Sequence, residues 1–349
     1  MSRKLIIIGN GLGMAISPSH FDLTKAMARV WDKLDQSDKK ILGSLKGIDA
    51  QNGPRSEEEL ISTQSALAYL NNFRQTLGAE ALDTWFTKDA TKYPDILNKF
   101  IFKVADELFK YSQGDADASN FSRFRSDLER FLRRTKSHVA TLNYDDLIYD
   151  HLVTTLTKNK DRPAVFCDGF KFDSGSNVGK YKPDIFVSYP HKIHYLHLHG
   201  SPLFATRDNE AVKVKRSSRD YSDISLPRHI VLANKVDKEK IIQRSEILKD
   251  YWENRLQHCI RAADEIILFG YSGEDDHLNE AIRKEFPEGK KISVVEWSRA
   301  KHFKSSAKST EISPTDYWRE AMGRKIHICR LPNILDFTDW DDPSNYIPF

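Results

Sequence analysis

"KLIIIGNGLGMAIS", residues 4 to 17, decides the fold: an unbroken apolar run ends abruptly in Gly9, Asn10, Gly11 and Gly13, and helix-compatible sequence follows. A short apolar run closed by glycines is the pattern of a parallel strand buried on both faces, with a carboxyl end that opens into a functional loop. Six further runs share it: "HVATLNYD" from His138, "HYLHLHGS" from His194, "HIVLANK" from His229, "EIILFGYS" from Glu265, "KISVVEWS" from Lys291 and "KIHICRLP" from Lys325. The expectation is an α/β fold with a doubly wound, Rossmann-like, mostly parallel sheet.

Between the first two runs lie about a hundred residues of helical periodicity, including "LISTQSALAYLNNFRQTL", "PDILNKFIFKVADELFKYS" and "NFSRFRSDLERFLRRT". They predict an inserted helical lobe over residues 25–135, with residues 1–24 and 136–349 forming the sheet domain. A second insertion is expected over about 158–192, and the polar stretch "TRDNEAVKVKRSSRDYSD" from Thr206 reads as a mobile surface loop. With 53 Lys and Arg against 50 Asp and Glu, the net charge of +3 gives no reason to expect direct nucleic-acid binding. Cys167, Cys259 and Cys329 are too far apart for a CxxC ribbon or a disulfide framework. No apolar run approaches the roughly 18 residues of a membrane span, and "LIIIG" is too short for a signal peptide, so a reducing cytoplasm is expected.

Four loops carry the chemistry. In "GNGLGMAIS", the glycines suit either a tight strand-to-helix turn or a backbone cradle for a pyrophosphate. An ordinary dehydrogenase would place an acidic residue at the end of a second strand about twenty residues on, but helical sequence begins there instead. "TLNYDDL" puts Asn143, Tyr144, Asp145 and Asp146 at a strand end, and "HLHGSPL" puts His199 at another. An imidazole there can take a proton near neutral pH, although a lone histidine is more often structural. In "FGYSGEDDHLNEAI", Gly270, Tyr271 and Ser272 end a strand, while Asp275 and Asp276 suit a helix N-cap. His194, His197 and His199 offer no fourth metal ligand and no carboxylate cluster, so no metal is expected.

Taken in order, these four loops resemble the sirtuin catalytic domain and, more closely, the sirtuin-like NAD glycohydrolases of bacterial antiviral defence. The resemblance covers roughly residues 1–24 and 136–300; the helical lobe matches only in being an insertion. It implies NAD as substrate, with Asn143 beside the nicotinamide ribose, Asp145 supporting that loop, Tyr144 packing in the core and His199 as general base. It also implies that Gly9, Asn10, Gly11, Gly13 and Ser17 line the phosphate loop, that Gly270, Tyr271 and Ser272 close over phosphate or ribose, and that Glu296 meets the adenosine ribose. The deacetylases' four-cysteine zinc module and Pro-Asp-Phe-Arg segment are missing from this sequence. Water is then the expected nucleophile, with nicotinamide and ADP-ribose as products. An ADP-ribosyltransferase, a deacylase and a non-catalytic ADP-ribose-binding module stay open as alternatives. Relatives of this type imply a homo-oligomer or a complex with an ATPase or nucleotide-processing partner.

Overall fold

The computed structural model describes residues 2–45, 47–56, 59, 76, 88–111, 118–152, 166–188, 192–218, 228–232, 235–304 and 307–345. The chain opens with β1 (Lys4–Ile8), followed by helices α1 (Gly11–Ile16), α2 (Pro18–Phe21), α3 (Leu23–Asp32), α4 (Gln36–Gly43), α5 (Lys88–Phe109) and α6 (Ala118–Thr135). Then come β2 (His138–Thr141), β3 (Phe166–Cys167), β4 (Phe170–Phe172), β5 (Val178–Tyr181), α7 (Asp184–Ser188), β6 (Ile193–His197), β7 (Gly200–Arg207), β8 (Glu210–Val214) and β9 (Arg228–Ile230). Helices α8 (Lys235–Arg244), α9 (Glu246–Asp250) and α10 (Gln257–Ala262) lead to β10 (Glu265–Phe269), α11 (Asp276–Glu285) and β11 (Lys291–Trp297). The hairpin β12 (His302–Lys304) and β13 (Ala307–Ile312), helix α12 (Pro314–Met322) and β14 (His327–Leu331) complete the main elements.

Seven strands form the main sheet in the order β14-β11-β10-β1-β2-β6-β3, and every neighbouring pair within it is parallel. This is the doubly wound sheet expected from the sequence. Strand β1 sits at the centre because all five of its residues are buried, which only a strand covered on both faces allows. Alternate side chains divide the core. Ile6, Ile8, Val139, Ile267 and Phe269 join Trp31, Phe100, Phe124 and Leu128 of the helices between β1 and β2 in one cluster. Leu5, Ile7, Ala140, Ile266 and Leu268 join Tyr251, Leu256, Ile260, Leu278 and Ile282 in another. The helices of residues 23–135 that the structure describes thus cover one sheet face directly; "LISTQSALAYLNNFRQTL" lies outside the described residues except for Thr76.

Two sequence expectations need correcting. The "HIVLANK" run supplies β9, which is not in the parallel sheet but pairs antiparallel with β7 at one edge of a separate five-stranded sheet, β4-β5-β8-β7-β9. The cause is Gly200: at φ +82° it turns the chain sharply after His199 and starts β7 in that second layer. The stretch from Thr206 is no surface loop either. Its first part is a hairpin in which Asp208 and Asn209, at φ +51° and +60°, make the two-residue turn between β7 and β8; residues 219–223 lie outside the described residues. Polarity misleads here because Lys213 is buried, with its ammonium 2.7 Å from the Asp168 carboxylate and 3.7 Å from the centre of the Tyr149 ring. Among the described residues, no helix is long and apolar enough to cross a membrane.

Candidate active site

The chain leaves β1 toward β2 and β6, then returns to β10 on the other side of β1, so the winding reverses between β1 and β10. In such sheets the crevice beyond the strands' carboxyl ends is where ligands bind. The backbone ladder continues past the strand ends and holds the loops in register. Gly9 N donates to Phe269 O at 2.9 Å, Leu142 N to Ile8 O at 3.0 Å, Leu198 N to Thr141 O at 2.8 Å and Gly270 N to Val295 O at 2.9 Å. The loops after β1 and β10 also touch backbone to backbone: Gly11 N donates to Gly270 O, and a Cβ on Gly11 would stand 2.6 Å from that oxygen. Gly9 packs on the same segment, and Gly13 against the Phe21 ring. Loop packing alone therefore accounts for the spacing of these glycines.

The opening of the Asn143 loop is fixed by Asn143 N donating to Thr141 Oγ1 at 3.0 Å. The Asn143 side chain is different: Oδ1 and Nδ2 are both buried and have no hydrogen-bond partner. A buried, unpaired amide costs stability, and such groups usually have a ligand or an ordered water as partner. Asp145 accepts Leu147 N at 3.1 Å and so braces the loop. Burial, reinforced by the charge of Asp146, pushes its carboxyl up to about 7, although the Leu147 N–H and the nearby Asn143 amide, which stops short of hydrogen-bond geometry, favour the ionised form. Burial also raises Asp146, against the pull of its ion pair with Arg216. Tyr144 is buried and donates its hydroxyl to Val231 O, as expected of a core residue.

His199 lies one residue beyond Leu198, and Val231 N holds its carbonyl at 2.9 Å. Its ring centroid is 6.2 Å from that of Tyr144, which sets the Asn143 and His199 loops side by side. Nε2 lies 3.1 Å from Asp275 Oδ2 and 2.9 Å from Lys238 Nζ, and Lys238 also pairs directly with Asp275. Burial, then the Lys238 charge, lowers the His199 pKa; Asp275 and the Leu142 carbonyl oppose them. The ring is therefore neutral at neutral pH. Burial alone would raise the Asp275 carboxyl, but His199 and Lys238 outweigh it and hold it well below the carboxylate range. Asp275 is also the N-cap of α11, accepting Leu278 N at 3.1 Å, so its capping and electrostatic roles coexist. The sequence reading missed Lys238. It sits in a polar stretch where a lysine signals solvent, yet its side chain is only 4% exposed and its ammonium lies 4.6 Å from the Trp252 ring centre.

The remaining candidates scatter. Asn10 donates Nδ2 to Phe21 O at 3.1 Å, and Ser17 occupies the N-cap position of the short α2 without a side-chain capping bond, its Oγ 3.3 Å from Ser19 Oγ. Tyr271 is buried, its hydroxyl 2.8 Å from Asn279 Oδ1 and accepting Asp275 N, so it holds the loop that presents Asp275. Ser272 is exposed at the loop tip, where its carbonyl accepts the Tyr317 hydroxyl at 2.8 Å. The Glu296 carboxylate is buried and occupied by His302 Nε2 (3.0 Å), Trp318 Nε1 (2.9 Å) and Arg330 Nε (3.0 Å). The three histidines of β6 and its loop do not converge. His194 faces Cys259, His197 packs among Tyr149, Tyr195 and Phe204, and His199 faces Asp275.

A doubly wound sheet with its polar side chains gathered beyond the carboxyl ends, at the reversal of winding, defines a nucleotide-binding type of α/β protein. Within that class the chain belongs to the SIR2-like domain family, whose pattern residues 137–314 match. The match takes in the Asn143, His199 and Gly270 loops and Glu296, and begins after the first glycine loop. SIR2-like domains use NAD, and the function of this chain is accordingly NAD-related and of the NAD-dependent enzyme type. No curated protein matches the chain.

Proposed function

We propose that this chain is an NAD glycohydrolase that cleaves NAD with water to nicotinamide and ADP-ribose, and that it acts as an NAD-depleting effector of antiphage defence. The observation that carries the reading is the buried Asn143 amide, unpaired at both polar atoms and set beside the loop of a neutral His199. An amide with a free donor and a free acceptor can orient a ribose hydroxyl or a water. His199 draws the proton from that hydroxyl or water, and Asp275 stabilises the imidazolium that forms. The bond that breaks joins the ribose anomeric carbon to the pyridinium nitrogen; its electron pair goes to nicotinamide, which leaves neutral and needs no general acid. The oxocarbenium-like carbon left behind is met by oriented dipoles, as in glycoside hydrolysis. Water is favoured as nucleophile because three cysteines cannot build the four-cysteine zinc module of the deacetylases.

An enzyme that hydrolyses NAD without restraint would deplete a cofactor shared by every pathway. Its turnover is therefore set by assembly, as a homo-oligomer or with an ATPase or nucleotide-processing partner. The test is to incubate the purified chain with NAD, resolve the products, and repeat across protein concentrations. Nicotinamide and ADP-ribose in equal amounts, with specific activity rising with concentration, is the expected result. Transfer of ADP-ribose to protein, or no consumption of NAD under any condition, would refute hydrolysis, and a dilute monomer at full activity would refute control by assembly.

A further inference from the structure

We propose that His138, His194 and Cys259 form a binding site for one thiophilic d10 cation, zinc or copper(I), at the amino-terminal end of the main sheet. His138 opens β2, His194 is the second residue of β6, and Cys259 lies in α10. All three are buried, and one ligand atom from each lies within 4.8 Å of the others. Cys259 Sγ stands 3.5 Å from His194 Nδ1. Zinc bonds of about 2.3 Å to sulfur and about 2.0 Å to nitrogen, at a tetrahedral angle, span an S···N edge of about 3.5 Å, so this pair already has a ligand spacing. A thiolate with two imidazoles is also a donor set that soft cations prefer to magnesium or calcium.

A second observation points the same way. His138 Nε2 is buried without a hydrogen-bond partner, a ring nitrogen that no protein group uses. His138 Nδ1 accepts His194 N at 3.0 Å, so ligation through Nε2 makes the ring exchange tautomers and gives up that one bond. Binding releases the Cys259 thiol proton to solvent and forms the metal–sulfur bond in its place. His258, next to Cys259 and exposed, has its ring centre 5.7 Å from that of His194 and 6.3 Å from that of His138. It stands where a fourth ligand would close a zinc site from the solvent side, whereas copper(I) accepts three ligands. The site is not catalytic. Asn143 and His199 lie beyond the opposite ends of the same two strands.

The experiment uses the full chain without a histidine tag, loaded in separate arms with zinc and with copper(I) under anaerobic conditions, desalted, and assayed for bound metal. About one ion per chain is expected in at least one arm, falling at least tenfold in Cys259→Ser and in His194→Gln and unchanged in His199→Ala. Cobalt(II) in the zinc arm gives a thiolate-to-metal charge-transfer band in the near ultraviolet, a readout on the unaltered protein that needs no variant to fold. Less than about 0.1 ion per chain in both arms, or full loading of Cys259→Ser, overturns the proposal, as does a cobalt complex without the thiolate band.

Discussion

Replacing Lys238 by Met tests the electrostatics of the proposed base. The substitution keeps an unbranched stem against Trp252 and removes one charge. That charge lies 2.9 Å from His199 Nε2, with Asp275 Oδ2 3.1 Å away on the same nitrogen. Two unit charges at that separation repel by about 1.4 kcal/mol even at the dielectric constant of water, and by about 6 kcal/mol at an effective value of 20. The floor alone makes protonation of His199 at least about tenfold more favourable in the variant. Asp275, no longer shared with an ammonium, adds to the effect. The groups facing the ring from the other elements, the Leu142 carbonyl and the Tyr144 ring, are unchanged. Because His199 works as the neutral imidazole, a raised pKa removes the active form from the acid side. The acid limb of the kcat/KM profile should therefore move to higher pH by at least about one unit, with activity recovered on the alkaline side. Proton NMR of the His199 ring, assigned with His199→Gln, should report the same shift without turnover. An unmoved acid limb together with an unmoved ring titration would refute the reasoning; a uniform loss at every pH would mean that Lys238 serves only to hold the loop.

Three further outcomes follow from the same geometry. His199→Ala and Asn143→Ala should fold and lose about a hundred- to ten-thousand-fold in NAD cleavage, and Asn143→Ala should melt no lower than wild type because it removes two unpaired buried atoms; a lower Tm would show that the amide has a partner. Asp145 has a folded pKa raised to about 7 against an ordinary value of 3.8, so the stability it contributes is full below about pH 4 and is lost as the pH rises through 7. Asp145→Asn should therefore gain a few kcal/mol on wild type between about pH 4 and pH 8 in urea titrations, and equal pH slopes would contradict the assignment. Prolonged chelation should leave NAD cleavage intact below the melting temperature while lowering the Tm; turnover lost in a still-folded protein would place a metal in the reaction.

What the sequence made legible was whatever depends on local pattern. The β1, β2, β6, β10 and β11 runs announce a buried parallel sheet because each is covered on both faces, while β14 at the sheet edge is half-buried, and the loops at their carboxyl ends stand out because chemistry-bearing residues interrupt apolar runs. The β9 run escaped because a short apolar stretch carries no mark of which sheet it joins; Gly200, thirty residues earlier in sequence, decides that. Lys213 and Lys238 escaped for a related reason. Each is buried by a distant carboxylate, Asp168 or Asp275, and a lysine's neighbours in sequence say nothing of a partner that only folding supplies. His138, His194 and Cys259 likewise lie on three separate elements, so no spacing rule brings them together.

The glycine loop shows where reading from a ligand outward goes astray. A Gly-rich turn after β1 fits a phosphate cradle, but a Cβ on Gly9 or Gly11 would already collide with the backbone at Gly270 and Tyr271, so protein packing demands those glycines with or without a ligand. Ligand signals are groups that protein packing does not explain, and two such groups among the described residues lie at opposite ends of β2: the Asn143 amide beyond its carboxyl end, and the His138 ring nitrogen at its start. The two are mechanically joined. From His138 to Asn143, and from His194 to His199, is five residues, about 16 Å of extended chain at the rise of a strand. An ion bridging the starts of β2 and β6 would add to the anchoring of the two strands that deliver the amide and the base, so its removal should be felt in the melting temperature before it is felt at Asn143 and His199. The variant that separates these effects is Cys259→Ser, which alters the anchoring end and leaves every side chain at the reacting end in place.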